Sequence, residues 1–280
     1  MSIRIVTDST SDLPDDIVAK YGITVIPTYV NIGDESYLDR VELSRREFYD
    51  KLPDYASPLR TSAPGIGTFI DTYERLAAEG AAEVLSIHLS AALSSFYSIA
   101  RSAAQAVTSV KVSVFDSTQL TLGTGLLALV AAKAVEAGRS MLEILEMVKE
   151  RAPRVHTFAA LNTLEYLRRS GRLTGLQFGL GSALRIKPLL RLHNGQLVME
   201  KVRTYKRTLA RLDEIVNGLA PLEELALVHT NAVEKAEALW ERFRHLVPHI
   251  TAPLLAEATP AIGVHVGPGA VGLVCVRARR

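Results

Sequence analysis

The 280-residue chain is 48% hydrophobic and 22% charged, a globular balance that allows one large domain or two of ordinary size. Its 32 basic and 30 acidic residues leave a formal charge of +2, which argues against broad electrostatic binding of nucleic acid. With one cysteine, Cys275, no intramolecular disulfide can form; its setting in VGLVCVRAR reads as a buried strand thiol, not a nucleophile.

The start, MSIRIVTDS, runs into a strand with no signal peptide. A short helix follows in DLPDDIVAKYG, with Pro14 in its first turn. ITVIPTYVNIG reads as one strand interrupted by Pro27, and a polar segment with Tyr37, Asp39 and Glu42 leads to a helix in SRREFYDKLP. TSAPGIGTFIDTYERLAAEG opens a helix near Pro64 and ends at Gly80. EVLSIHLS (strand), SSFYSIARSAAQAV (helix), KVSVFDS (strand) and TGLLALVAAKAVEAG (helix) complete the first half. This alternation predicts a parallel sheet covered on both faces. The longest apolar run, LTLGTGLLALVAAKAVEAG, is broken by Lys133 and glycines, so a cytoplasmic protein with no transmembrane segment is expected.

The second half changes character. A helix stops at Pro153, VHTFAAL is a strand, and NTLEYLRRSGRLTGLQFGLGSALRIKPLL reads as helices linked by glycines. Asn194-Gly195 signals a hairpin, and AIGVHVGPGAVGLVCVRAR reads as two strands around a glycine turn. The expected architecture is α/β with two domains: a parallel-sheet, Rossmann-like unit over residues 1–153 and a mixed-sheet α/β unit over 154–280.

The string Gly267, Gly269, Gly272 fits G-x-G-x-x-G, but a strand follows it where a dinucleotide site needs a helix. No Walker A sequence or metal-ligand spacing occurs, so no cofactor or metal is expected. Hydroxyls recur at strand-to-helix junctions: Thr7 to Ser11, Thr61 with Ser62, Ser94 with Ser95, and Ser117 with Thr118. Any one of them is readily a helix cap. Together they point to an anion site beyond the carboxyl ends of parallel strands, where helix starts offer N–H groups and positive dipole. A small carboxylate or phosphate suits such a site. Asp8 and Asp116 read as turn-holding carboxylates. His265 reads either as a core histidine or as a site residue, and Arg172 either as a helix-end cation or as a site residue. The stripe of Lys201, Arg203, Lys206, Arg207 and Arg211 is a wet face or a partner-docking surface.

Taken together, IVTDSTSDLP, LRTSAP, LSAALSSFYSIA, VFDSTQLTLGTG, LNTLEYLRRSGRL, IKPLL, KVRTYKRTL and GVHVGPGAVGL strongly resemble the DegV family, in order and along nearly the whole chain. The resemblance implies a two-domain α/β protein that binds a long-chain fatty acid, such as palmitate, between its domains. In family members that act as fatty-acid kinase B subunits, the carboxylate is presented to a separate dihydroxyacetone-kinase-like subunit, which makes the acyl phosphate. It further implies that Thr61, Ser62, Ser94 and Ser95 bind the carboxylate and that Arg172 and His265 present it. Such a carrier has no catalytic residue of its own and makes at most transient membrane-surface contact. Where the family commonly reads S-G-T-Y, this chain has Ser94-Ser95-Phe96-Tyr97, so an apolar ring replaces a hydroxyl. Two other functions fit the same residues: an acyl hydrolase or transferase with Ser94 or Ser62 as nucleophile and His265 as base, and a fatty-acid-sensing regulator.

Overall fold

The computed structural model describes residues 2–55, 57–172 and 186–279. Strands β1 (Ile3–Asp8), β2 (Thr24–Ile26), β6 (Glu83–His88) and β7 (Lys111–Asp116) form a wholly parallel sheet in the order β2-β1-β6-β7. Its strands are apolar on both faces because helices cover both. On one side lies α5 (Leu122–Glu136), apolar around nearly its whole circumference, with Leu126, Leu127 and Ala131 fully buried. On the other lie α3 (Ile66–Ala78) and α4 (Phe96–Ala106), which bury Phe69, Tyr73, Phe96 and Ala100.

A six-stranded mixed sheet occupies the later part of the chain. It comprises β8 (Val155–Ala160), β9 (Leu189–His193), β10 (Gln196–Glu200), β11 (Leu222–His229), β12 (Leu254–Glu257) and β13 (Val271–Arg277), ordered β10-β9-β8-β13-β11-β12. Only β11 and β12 pair in parallel; the other neighbours are antiparallel. The expected α/β class, parallel sheet first and mixed sheet second, is what the chain adopts. At the β9–β10 turn, Asn194 and Gly195 take φ of 49° and 73°, the left-handed pair that a two-residue hairpin needs. Cys275 is fully buried in β13, and burial pushes its thiol up to about 12.

Three readings of the sequence are corrected. ITVIPTYVNIG is not one strand: the chain leaves the parallel sheet after β2, and β3 (Tyr29–Ile32) joins a separate antiparallel sheet with β4 (Glu35–Leu38) and β5 (Leu59–Ser62). Pro27 cannot donate to a ladder, and it sits at the switch. β4 falls in the segment read only as polar, and β12 is a four-residue strand, LLAE, too short for its composition to mark. The third correction is AIGVHV, which is helical: α10 (Pro260–Val266) starts with Pro260 in its first turn and ends at Gly267 with φ of 71°. Proline inside the start and glycine past the end are helix punctuation, which outweighed a β-like composition.

Helix α10 packs on the three-stranded sheet and on α2 (Arg45–Lys51), burying Ala261 and Val264 with Val30, Phe48, Tyr49 and Leu59. A Cβ on Gly263 would lie 2.5 Å from Phe48 Cε1 and 2.8 Å from Tyr49 Oη, so glycine sets this approach. The helix start is held from outside: Thr259 N donates to Asp12 Oδ1 at 2.8 Å and Ala261 N to Asp39 Oδ1 at 3.4 Å. Of the expected helices in 162–190, α7 (Glu165–Arg169) is present; residues 173–185 lie outside the described part. No helix among the described residues is long and apolar enough to cross a membrane.

Candidate functional site

Thr61, Ser62, Ser94, Ser95, Arg172 and His265 all line one cavity of about 410 Å3, within the size range of small-molecule sites. Its walls come from both halves of the chain: β5 and the start of α4 on one side, β9, β10 and α10 on the other. Ser62, Ser95 and Arg172 are exposed at the mouth, whereas Thr10 and Thr28 are buried in the wall.

The four hydroxyls are not interchangeable. Thr61 and Ser62 end a strand, four residues before α3 begins behind Gly65, so neither caps that helix. Successive strand residues point to opposite faces. Thr61 shares the face of buried Leu59 and meets His265, Oγ1 to Nε2 at 2.9 Å. Ser62 lies on the other face, where its Oγ accepts from Asn31 Nδ2 at 3.2 Å. Ser94 and Ser95 do precede a helix directly, as expected. Phe96 N donates to Ser94 Oγ at 3.4 Å, and Ser95 sits at the N-cap without a side-chain capping bond. Its hydroxyl is thus not committed to the helix, whose positive end faces the cavity.

His265 is neutral over the whole physiological range: burial, with the Arg172 charge adding to it, pushes its pKa down to about 3. Its Nδ1 is buried without a hydrogen-bond partner. That leaves the imidazole with no carboxylate to orient it as a general base, and its Nε2 bonds Thr61 and neither serine. The nucleophile–base–acid chain required by the hydrolase reading is not assembled among the described residues at the cavity.

A chain of that type does exist beneath the wall. Ser86 Oγ lies 2.7 Å from His88 Nε2, and His88 Nδ1 lies 3.0 Å from Asp8 Oδ2. All three are fully buried, and Tyr73 Oη donates to Ser86 at 2.9 Å. Asp8 also accepts from Leu89 N and from the backbone and hydroxyl of Thr10. This network holds the β1 turn and fixes Thr10 in the cavity wall. S-x-H in β6, opposite an aspartate on the neighbouring strand, was the available sequence signal. Asp116 likewise holds a turn, accepting from Thr118 N at 2.8 Å and Ala91 N at 3.2 Å.

Beyond the mouth the walls are apolar. Phe96 is buried against Phe69 and His88, ring centroids 5.7 Å from each, so the ring that departs from S-G-T-Y extends apolar wall up to Ser94. Leu120, Leu190, Leu197, Ile262 and Val266 separate the cavity from a second of about 70 Å3, backed by Phe158, Val228 and Val271. Thr121, Thr157 and Thr230 also line the second cavity, but their hydroxyls bond Asp12, Gln119 and the backbone of Ala270. What they offer the cavity is aliphatic carbon.

The cavity thus joins a polar mouth to apolar walls. The chain belongs to the DegV family: the family model described as "Uncharacterised protein, DegV family" matches residues 2–278. A DegV domain-containing protein of Streptomyces coelicolor is 38% identical over 276 residues, 97% of each chain. The crystal structure of DegV, a fatty acid binding protein from Bacillus subtilis, superposes with a TM-score of 0.89 at 32% identity, covering 99% of this chain and 100% of that one. A fatty-acid-binding DegV family protein from Thermus thermophilus gives 0.87 at 31%, with the same coverage.

Proposed function

We propose that this chain is a fatty-acid carrier: it binds one long-chain fatty acid between the 1–153 and 154–280 units, with the carboxylate at Thr61, Ser62, Ser94 and Ser95. The observation that carries the reading is the gradient from hydroxyls at the mouth of one cavity to the apolar walls it shares with a second. Each buried methylene contributes about 0.8 kcal/mol, so a tail of some fifteen gives roughly 12 kcal/mol before association costs. Two or three charge-assisted hydrogen bonds add roughly 3–9 kcal/mol. The tail therefore supplies most of the affinity, and the hydroxyls decide which end faces out. The relatives' description as fatty acid binding proteins supports this assignment.

The proposal extends to presentation of the carboxylate to a separate kinase for acyl-phosphate formation. Exposure of Ser62, Ser95 and Arg172 at the mouth supports it, since a phosphoryl donor has to reach the head group. Arg203, Lys206 and Arg207 are exposed and offer a docking face, while Arg211 is tied to Glu200 and Glu214. The test has two arms. Lipid extracted from the denatured protein and identified by mass spectrometry is expected to be one fatty acid per chain. An empty protein that also refuses added palmitate would remove the carrier reading. Arg172→Ala and His265→Ala are expected to retain the lipid and slow kinase-dependent turnover; loss of lipid in either variant would move these residues from presentation to binding.

A further inference from the structure

The hydrogen-bond partner of Ser62 lies outside the cavity. On the exposed face of the three-stranded sheet, Asn31 of β3 pairs with Ser36 of β4 and stands diagonal to Ser62 of β5. Ser36 Oγ donates to Asn31 Oδ1, and Asn31 Nδ2 donates to Ser62 Oγ at 3.2 Å. An asparagine amide has one accepting and one donating end. Once Ser36 occupies the accepting end, the donating end faces Ser62. The Ser62 oxygen then receives a proton from Asn31 and has its own left to give. Thr61, one residue earlier and on the opposite face, has the neutral imidazole of His265 beside it instead.

We propose that Asn31, held by Ser36, is a positioning residue that makes Ser62 a hydrogen donor into the cavity mouth and so selects a head group that only accepts. An ionised carboxylate is such a group. An alcohol of the same length both donates and accepts, and is indifferent to the way the Ser62 proton points. Asn31 acts through Ser62 alone and does not line the cavity. The inference rests on the carrier reading and names the property of the head group that this side of the mouth recognises. It also gives the small sheet a role: its register sets Asn31 diagonal to Ser62 and brings Ser36 opposite Asn31, where it donates to the amide oxygen.

The experiment compares binding of palmitate and 1-hexadecanol to delipidated protein by displacement of a fluorescent fatty acid. Asn31→Ala is expected to weaken palmitate about five- to tenfold, the range for losing one oriented, charge-assisted bond at a partly wet site, and to leave hexadecanol unchanged. Asn31→Asp only accepts, so Ser62 has to donate to it. Palmitate is expected to weaken at least as much as with alanine, even though Arg60 stands opposite the new charge. In a Ser62→Ala background the alanine at 31 is expected to have no further effect, the non-additivity that marks action through one partner. Equal weakening of both ligands, or a full additional loss in the Ser62→Ala background, would assign Asn31 to packing and overturn the relay. Unchanged palmitate binding in Asn31→Ala would do the same. If wild-type protein binds neither ligand, the carrier reading itself fails, an outcome distinct from all of these.

Discussion

Replacing Asp12 by asparagine tests the load on the helix that carries His265. Asp12 is fully buried and in the left-handed conformation, φ 54°, accepting from Thr259 N and from the Thr121 hydroxyl. Asp39, also buried, accepts from Ala261 N, and Arg40, Arg45, Tyr49 and Glu257 are the other ionisable groups around the pair. Burial pushes Asp12 from 3.8 to about 7, and the Asp39 charge adds to it; burial likewise takes Asp39 to about 6. A folded-state pKa above the unfolded value means the native protein binds the proton more tightly. Stability from Asp12 is therefore complete below pH 3.8, falls as pH rises, and levels off above about 7. The full change is about 4 kcal/mol, and about 3 falls between pH 5 and pH 8, a large part of a typical folding free energy. Asparagine still accepts from Thr259, and the Thr121 hydroxyl can turn to accept from its amide. Urea unfolding of wild type and Asp12→Asn at pH 5 and pH 8 should show the variant gaining about 3 kcal/mol on wild type at the higher pH. A difference that stays constant with pH would refute the argument.

Three further outcomes follow from the packing. Gly263→Ala is expected to destabilise by about 1–3 kcal/mol, read by thermal or urea unfolding, because the added carbon meets the rings of Phe48 and Tyr49. Leu197→Trp, in the wall shared by the two cavities, should shift the extracted lipid toward shorter chains, at about 0.8 kcal/mol for each methylene excluded; an unchanged lipid profile would place the tail elsewhere. Cys275, buried in β13, should react with a thiol reagent only as fast as the protein unfolds.

The parallel sheet was legible because β1, β6 and β7 are short apolar runs, each followed by a helix long enough to show its period. The three-stranded sheet was not. β4 is ESYL, half exposed, and β5 is four residues with one fully buried side chain, Leu59; each depends on β3 for its pairing more than on its own composition. Helix α10 has seven residues, too few for a period of 3.6 to stand out from AIGVHV, although Pro260 and Gly267 marked both ends. Ser94 and Ser95 stand directly at a helix start; Thr61 and Ser62 stand at the expected strand-to-helix junction, but on its strand side. Asn31 and Ser36 carried no signal at all, because what they do depends on a register between strands that only the fold supplies.

The strand-side position of Thr61 and Ser62 bears on recognition. Two hydroxyls at a helix start would share one direction and one role, whereas consecutive residues on a strand diverge. Divergence lets the chain tie Thr61 to the inner face, through a histidine whose burial keeps it neutral, and Ser62 to the outer face, through an amide. Among the described lining residues there is no carboxylate, and Arg172 brings the one full charge. A buried cation would hold any anion strongly and keep it from a partner; neutral donors with a single exposed arginine would bind the proposed head group by direction more than by charge. In the proposed carrier, where the tail would supply most of the affinity, such a mouth would fix orientation while leaving the head group reachable, the two requirements for delivery to another protein.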